Sequence, residues 1–137
     1  MIGPGGILFD LDGVIFQGNS LIPGSKETLR ALRCAKIPFR FITNTTRMTK
    51  NNLVKMLYNM GLDVGSNDVF AAPHAAVEYC KLKGYNKILL VVPDKKMCAD
   101  FSAFQLVKNN ADAVVLGDMG CSFTFELLNK LFRIIIN

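Results

Sequence analysis

The sequence predicts a parallel, doubly wound α/β fold, and three observations carry that reading. Strand-like runs at residues 7–11, 38–43, 86–93 and 111–117 alternate with segments of helical periodicity. The runs ILFDL and NKILLVVP are nearly continuous in apolar character, as strands buried on both faces are. Polar groups then collect where the first two runs end, at Asp10, Asp12, Thr43 and Asn44.

Taken in order, ILFDL follows a glycine-rich start and reads as the first buried strand. Ser25 opens SKETLRALRCAKI, where Leu29 and Leu32 share a helical face and Pro38 lies just beyond. PFRFIT is aromatic and β-branched and forms a second strand ending at Thr43. After the polar loop NTTRM, Leu53, Met56, Leu57 and Met60 recur at i, i+3, i+4 and i+7, and Gly61 stops that helix. Pro73 occupies a helix-start position for a helix running to Gly84. NKILLVVP and ADAVVLG are the next strands, joined through residues 94–110, which have no firm pattern. FTFELLNKLFRIII closes the chain as a helix with Leu128, Leu131, Phe132 and Ile135 on one stripe. A second β-α-β series begins within residues 72–85, so the expected organisation is residues 1–80 followed by residues 81–137.

Composition narrows the function classes. At 137 residues, 50% hydrophobic and 20% charged, the chain is a packed domain rather than a disordered segment. The net charge of +5 comes from 16 scattered Lys and Arg with no run longer than Lys95-Lys96. No basic stripe interleaved with aromatics is present, so no nucleic-acid partner is expected, while phosphate-bearing small molecules fit the charge. Cys34, Cys80, Cys98 and Cys121 form no C-x-x-C pair, and the lone His74 has no cysteine near it in sequence. Reduced thiols in a cytoplasmic protein are therefore expected, not a zinc site. The N-terminus lacks signal-peptide features and no window is apolar enough to span a membrane.

The chemistry concentrates in FDLDG. Asp10 stands at the carboxyl end of the first strand and Asp12 in the turn, where Gly13 permits a sharp bend. In open α/β sheets ligands gather at that end. Two neighbouring carboxylates repel unless a cation lies between them, and a hard Mg²⁺ suits oxygen donors. Such a site fits phosphoryl transfer, with one carboxylate as nucleophile and the other as general acid and base. An EF-hand loop fails, because its fifth, sixth and twelfth positions would be Val14, Ile15 and Leu21. A dinucleotide loop fails because the glycines at positions 3, 5 and 6 precede the strand. Turn chemistry alone accounts for a bare D-x-D-G equally well. The second strand ends in FITNTTR, and Thr43 beside FDLDG favours a phosphate site.

FDLDGVIFQG followed by ITNTTR, with the linking IPGSKETLRALR, resembles the haloacid dehalogenase (HAD) superfamily of phosphatases. The resemblance is to the branch with a large α/β cap (type IIA) that holds the NagD-like and phospholysine phosphohistidine inorganic pyrophosphate phosphatase groups. VFAAPHAAVEYC, KILLVV, ADAVVLG and FELLNKLFRIII look like its core-to-cap segment, so the resemblance covers nearly the whole chain. It implies a Rossmann-like core half in residues 1–80 and a partial cap in residues 81–137. It implies Asp10 as nucleophile and Asp12 as general acid and base. Phosphate would be held by the amides of Leu11 and Asp12, by Thr43 and by Asn44. Mg²⁺ would be held by the Asp10 carboxylate and the Asp12 carbonyl, and the substrate would be a small phosphorylated compound.

The family also uses a later lysine and a later acidic motif, both after the cap. VVLGDMG resembles that acidic motif at Asp118, but CSFTF follows where a second acid is usual. The expectation is a chain truncated within the cap, exposing a strand edge and an apolar patch. It would self-associate or take up a complementary carboxyl-terminal half. The alternatives are a catalytically incomplete remnant acting as a binding module and an aspartate-phosphorylated receiver. Arg47 and His74 are candidate substrate contacts, with a solvated loop charge and helix-end packing as the plainer readings.

Overall fold

Strand β1 (Ile7–Asp10) alternates half-buried Ile7 and Phe9 with exposed Leu8 and Asp10. In the computed structural model, which describes residues 5–136, this strand begins the first of two compact units. That unit holds the described chain up to Asn44 together with Lys50–Ala71. After β1 the chain makes a short antiparallel hairpin of β2 (Phe16–Gln17) and β3 (Ser20–Leu21), then α1 (Ser25–Cys34). Strand β4 (Phe39–Thr43), helix α2 (Lys50–Asn59) and strand β5 (Val69–Ala71) complete it.

The sheet has the order β1-β4-β5 and is parallel throughout, with Phe9 opposite Phe41 and Phe41 opposite Val69. One face is the core. Phe39, Phe41, Val69 and Ala71 are buried there, and Leu29 of α1 and Leu53 and Leu57 of α2 are buried with them. The rings of Phe39 and Phe41 meet edge to face at 5.6 Å, and Phe9 meets Phe39 in the same manner at 6.0 Å. Among the described residues, nothing covers the other face. Leu8 is 66% exposed, and Ile42 and Phe70 are also exposed on that side. Among the described residues nothing pairs with the outer edge of β1. Parallel sheets are ordinarily covered on both faces, and this one leaves an apolar patch and an open edge.

The second unit holds Thr45–Thr49 and the chain from Ala72 onward. It contains α3 (Ala72–Leu82), β6 (Lys87–Val91), a 3₁₀ segment over Lys95–Phe101, β7 (Gln105–Leu106), β8 (Ala113–Leu116) and α4 (Phe125–Ile136). Its parallel sheet runs β7-β6-β8. Ile88, Met97 and Phe101 are almost fully buried, and α3 packs on the 3₁₀ segment. The Asp112 carboxylate accepts the amides of Asn86 and Lys87 at 2.8 and 2.7 Å, tying the start of β6 to the approach of β8. Those bonds, that from Lys87 foremost, hold its carboxyl below the usual aspartate range. No helix among the described residues is long and apolar enough to cross a membrane.

Two readings change, and short strands that carry no local signal are added. The 16–21 hairpin, β5 and β7 are strands of two or three residues, too short to show a period in sequence. Helix α1 stops at Cys34 rather than reaching Ile37, because Lys36 takes φ 55° and the Ala35 amide closes the last turn on Ala31. The stripe on α4 is split. Leu131 is buried, with Leu127 and Ile134 half-buried beside it, whereas Leu128, Phe132 and Ile135 are exposed.

Two measurements check this packing. Phe41→Ala should destabilise the chain by about 3–5 kcal/mol in urea unfolding, while Leu8→Ser should stay within about 0.5 kcal/mol and reduce self-association. Asp112→Ala should lower the urea midpoint at neutral pH. A carboxyl depressed on folding stabilises above the unfolded value of about 3.9 and loses that contribution as pH falls through the lower folded value. The difference from wild type should therefore vanish in acid.

Candidate active site

Asp10 is the last residue of β1 and pairs with Ile42 of β4, so Thr43 lies one residue further along the adjacent parallel strand. Strand spacing and rise put the two backbones about 6 Å apart at one carboxyl edge. Thr43 in turn pairs with Ala71 of β5, which places Asp10, Thr43 and Asn44 along a single sheet margin.

The turn after β1 explains how two acids end a strand that contributes to a core. Leu11, between them, is 1% exposed, while Asp10 and Asp12 are both exposed. The Leu11 carbonyl accepts the amides of Val14, Ile15 and Phe16 at 3.3, 2.9 and 3.1 Å, which curls the chain tightly around it. Gly13 makes that curl possible at φ 80°, a left-handed conformation, and its amide donates to the Phe16 carbonyl at 2.7 Å. Buried Ser25 braces the loop from α1, its hydroxyl donating to the Ile15 carbonyl at 3.0 Å. Ser25 is a site support that its place at a helix start did not reveal in sequence.

The Leu11 amide donates to Oδ1 of Asp10 at 2.8 Å, so it is engaged by the carboxylate itself. Asp10 and Asp12 offer hard oxygen donors suited to Mg²⁺, but no group of three or more His, Cys, Asp or Glu is placed to hold a metal among the described residues. Asp118 belongs to the second unit, and its carboxylate is taken up by Nε of Arg47 at 2.8 Å and by the Gly120 amide at 2.8 Å. Arg47 is thereby paired rather than a free loop charge, and His74 sits half-buried in the first turn of α3.

Comparison with known proteins bears on this arrangement. A family model described as haloacid dehalogenase-like hydrolase matches residues 7–120. Haloacid dehalogenase-like hydrolase domain-containing protein 2 of Rattus norvegicus is 31% identical over 131 residues, covering 96% of this chain and 49% of the relative. Phospholysine phosphohistidine inorganic pyrophosphate phosphatase of Bos taurus is 30% identical over 140 residues, covering 99% and 50%. The solved 4-nitrophenylphosphatase of Thermotoga maritima superposes with a TM-score of 0.82 at 30% identity, covering 96% and 51%. The chain thus spans about half the length of the curated relatives it matches.

The conformational demand at position 13 is open to test. A Cβ there would meet nothing within 4 Å, so Gly13→Ala isolates the left-handed penalty. It should cost about 1–2 kcal/mol in urea unfolding.

Proposed function

The chain belongs to the haloacid dehalogenase-like hydrolase family, and from that premise we propose that it is a Mg²⁺-dependent phosphatase scaffold acting on small phosphorylated compounds. The observation that carries the reading is the sheet margin where Asp10 and Thr43 end adjacent parallel strands, with Asp12 in the glycine turn beside them. In this reading residues 1–80 supply the first half of a hydrolase core and residues 81–137 part of a cap. The compact units themselves divide after Ala71.

Asp10 is the nucleophile: its carboxylate oxygen attacks phosphorus and the leaving oxygen departs, giving an aspartyl-phosphate. Asp12 donates a proton to that leaving oxygen, then takes one from the water that hydrolyses the intermediate. The Thr43 hydroxyl, the Asn44 side chain and the Asp12 amide hold the phosphate oxygens. The Leu11 amide joins them only on leaving Asp10. The Asp10 carboxylate and the Asp12 carbonyl are the groups that would hold Mg²⁺, which when bound offsets the repulsion between carboxylate and phosphate.

A second reading rests on the uncovered sheet face and the open edge of β1. On it the chain is a binding module that does no catalysis until a complementary carboxyl-terminal half covers Leu8, Ile42 and Phe70. Hydrolysis of an aryl phosphate by the full chain, with and without Mg²⁺, separates the two. On the enzyme reading Asp10→Asn should lower kcat at least about 10³-fold and Asp12→Asn about 10²- to 10⁴-fold. A folded wild type with turnover no greater than Asp10→Asn would leave only the binding module.

A further inference from the structure

Helix α1 carries Lys26, Arg30 and Arg33, spaced so that all three lie on one face. They form one wall of a cleft of about 280 Å³ within the first unit, and Gly61, Leu62 and Asp63, which follow α2, form the other. Leu29 also lines it and is buried like Leu62, so the charges stand on an apolar base. Gly61 takes φ 84°, and a Cβ there would lie 3.0 Å from Lys26 Nζ, so its lack of a side chain leaves the ammonium its place. The Arg33 guanidinium is fixed by three contacts. Its Nη1 donates to Asp63 Oδ2 at 2.8 Å, its Nη2 donates to the Asp63 carbonyl, and the group lies over the Phe39 ring at 5.6 Å. Its other N–H donors remain for a ligand. Among the described residues no carboxylate pairs with Lys26 or Arg30.

Three cations against the single carboxylate of Asp63 leave the lining with an excess of positive charge. Lys26 and Arg30 stand at i,i+4 and Arg30 and Arg33 at i,i+3, so like charges repel along both steps. A bound dianion offsets both penalties. We propose that this cleft is a binding site for the phosphate group of a small soluble compound, apart from the site at Asp10. None of its lining residues belongs to the FDLDG turn or to the end of β4. Arg33 lies over Phe39, the first residue of β4, whereas Thr43 is the last, and strand rise puts those two about 13 Å apart. A water takes about 30 Å³ in the liquid, so the cleft has room for a tetrahedral anion and none for a macromolecule. The arginine forks match phosphate oxygens in pairs, and Lys26 adds a point charge. Arg30 and Arg33 are exposed, so binding weakens with salt.

The test is a titration of the full chain with inorganic phosphate, at fixed ionic strength and without added Mg²⁺, read as backbone amide NMR shifts. Saturable shifts should appear at residues 26–33 and 61–63 with a common Kd on the order of 1 mM. Lys26→Gln/Arg30→Gln removes two of the three cations and should raise that Kd at least about ten-fold. Lys95→Gln/Lys96→Gln removes the same charge from exposed residues outside the cleft and should leave the Kd within about two-fold. None of these four side chains is buried, so both double variants should fold, and the dispersion of their own amide spectra verifies it. An equal loss of affinity in both pairs would overturn the proposal, because the anion would then follow net charge alone. Shifts at the cleft that never saturate would overturn it too. So would saturation confined to residues 10–13 and 43–44, which would place phosphate at the sheet margin only and leave the reading of that margin intact.

Discussion

The parallel pairing of β1 with β4 is the constraint on which the first unit depends. Its register follows from which residues must be buried: Phe39 and Phe41 go to the core face with Phe9 beside them, so Leu8, Asp10 and Ile42 face the other way. A slip of one residue would exchange those sets. The same register that buries the aromatic rings therefore brings the end of FDLDG beside the end of FRFIT. Stability and site geometry are one choice here, because the groups proposed to do chemistry lie one step beyond the groups that hold the sheet.

The loop after β1 follows the same logic on a smaller scale. Leu11 is the anchor, and three amides converge on its carbonyl, which leaves the flanking carboxylates outside the core. Burying either acid without a partner would be costly, and the fold avoids that by alternating acid, apolar anchor and acid. Ser25 adds a fixed strut from a helix, so the loop that carries Asp12 is held from two sides. A positioned acid is worth more in proton transfer than a mobile one, which gives these supports a functional meaning within the proposed reading.

The uncovered face of the first sheet sets the other boundary on function. A parallel sheet with Leu8, Ile42 and Phe70 in water carries an apolar surface of the kind that seeks a partner. Relatives about twice the length of this chain share its family. Any cover for this face would also change the surroundings of Asp10, which lies on the same side of the sheet. Helix α4 presents a second exposed stripe, at Leu128, Phe132 and Ile135, in the other unit.

Much of this was legible in the residues alone. The four long strands, the helices and the pairing of FDLDG with ITNTTR follow from periodicity, turn residues and apolar runs, all of which are local signals. What escaped were elements and contacts with no local signal. Strand β5 is three residues long and exists because β4 offers it an edge. Ser25 reads as a helix opener, yet its hydroxyl serves a loop ten residues earlier. Asp118 resembles a metal-binding acid in sequence, and only the fold sets Arg47 and Thr46, more than seventy residues away, against it. Family, fold class and candidate acids could be read from the residues because those signals reside in contiguous motifs. The tertiary structure alone decided which face lies uncovered and which partner each charge meets, because burial and ion pairing depend on residues distant along the chain.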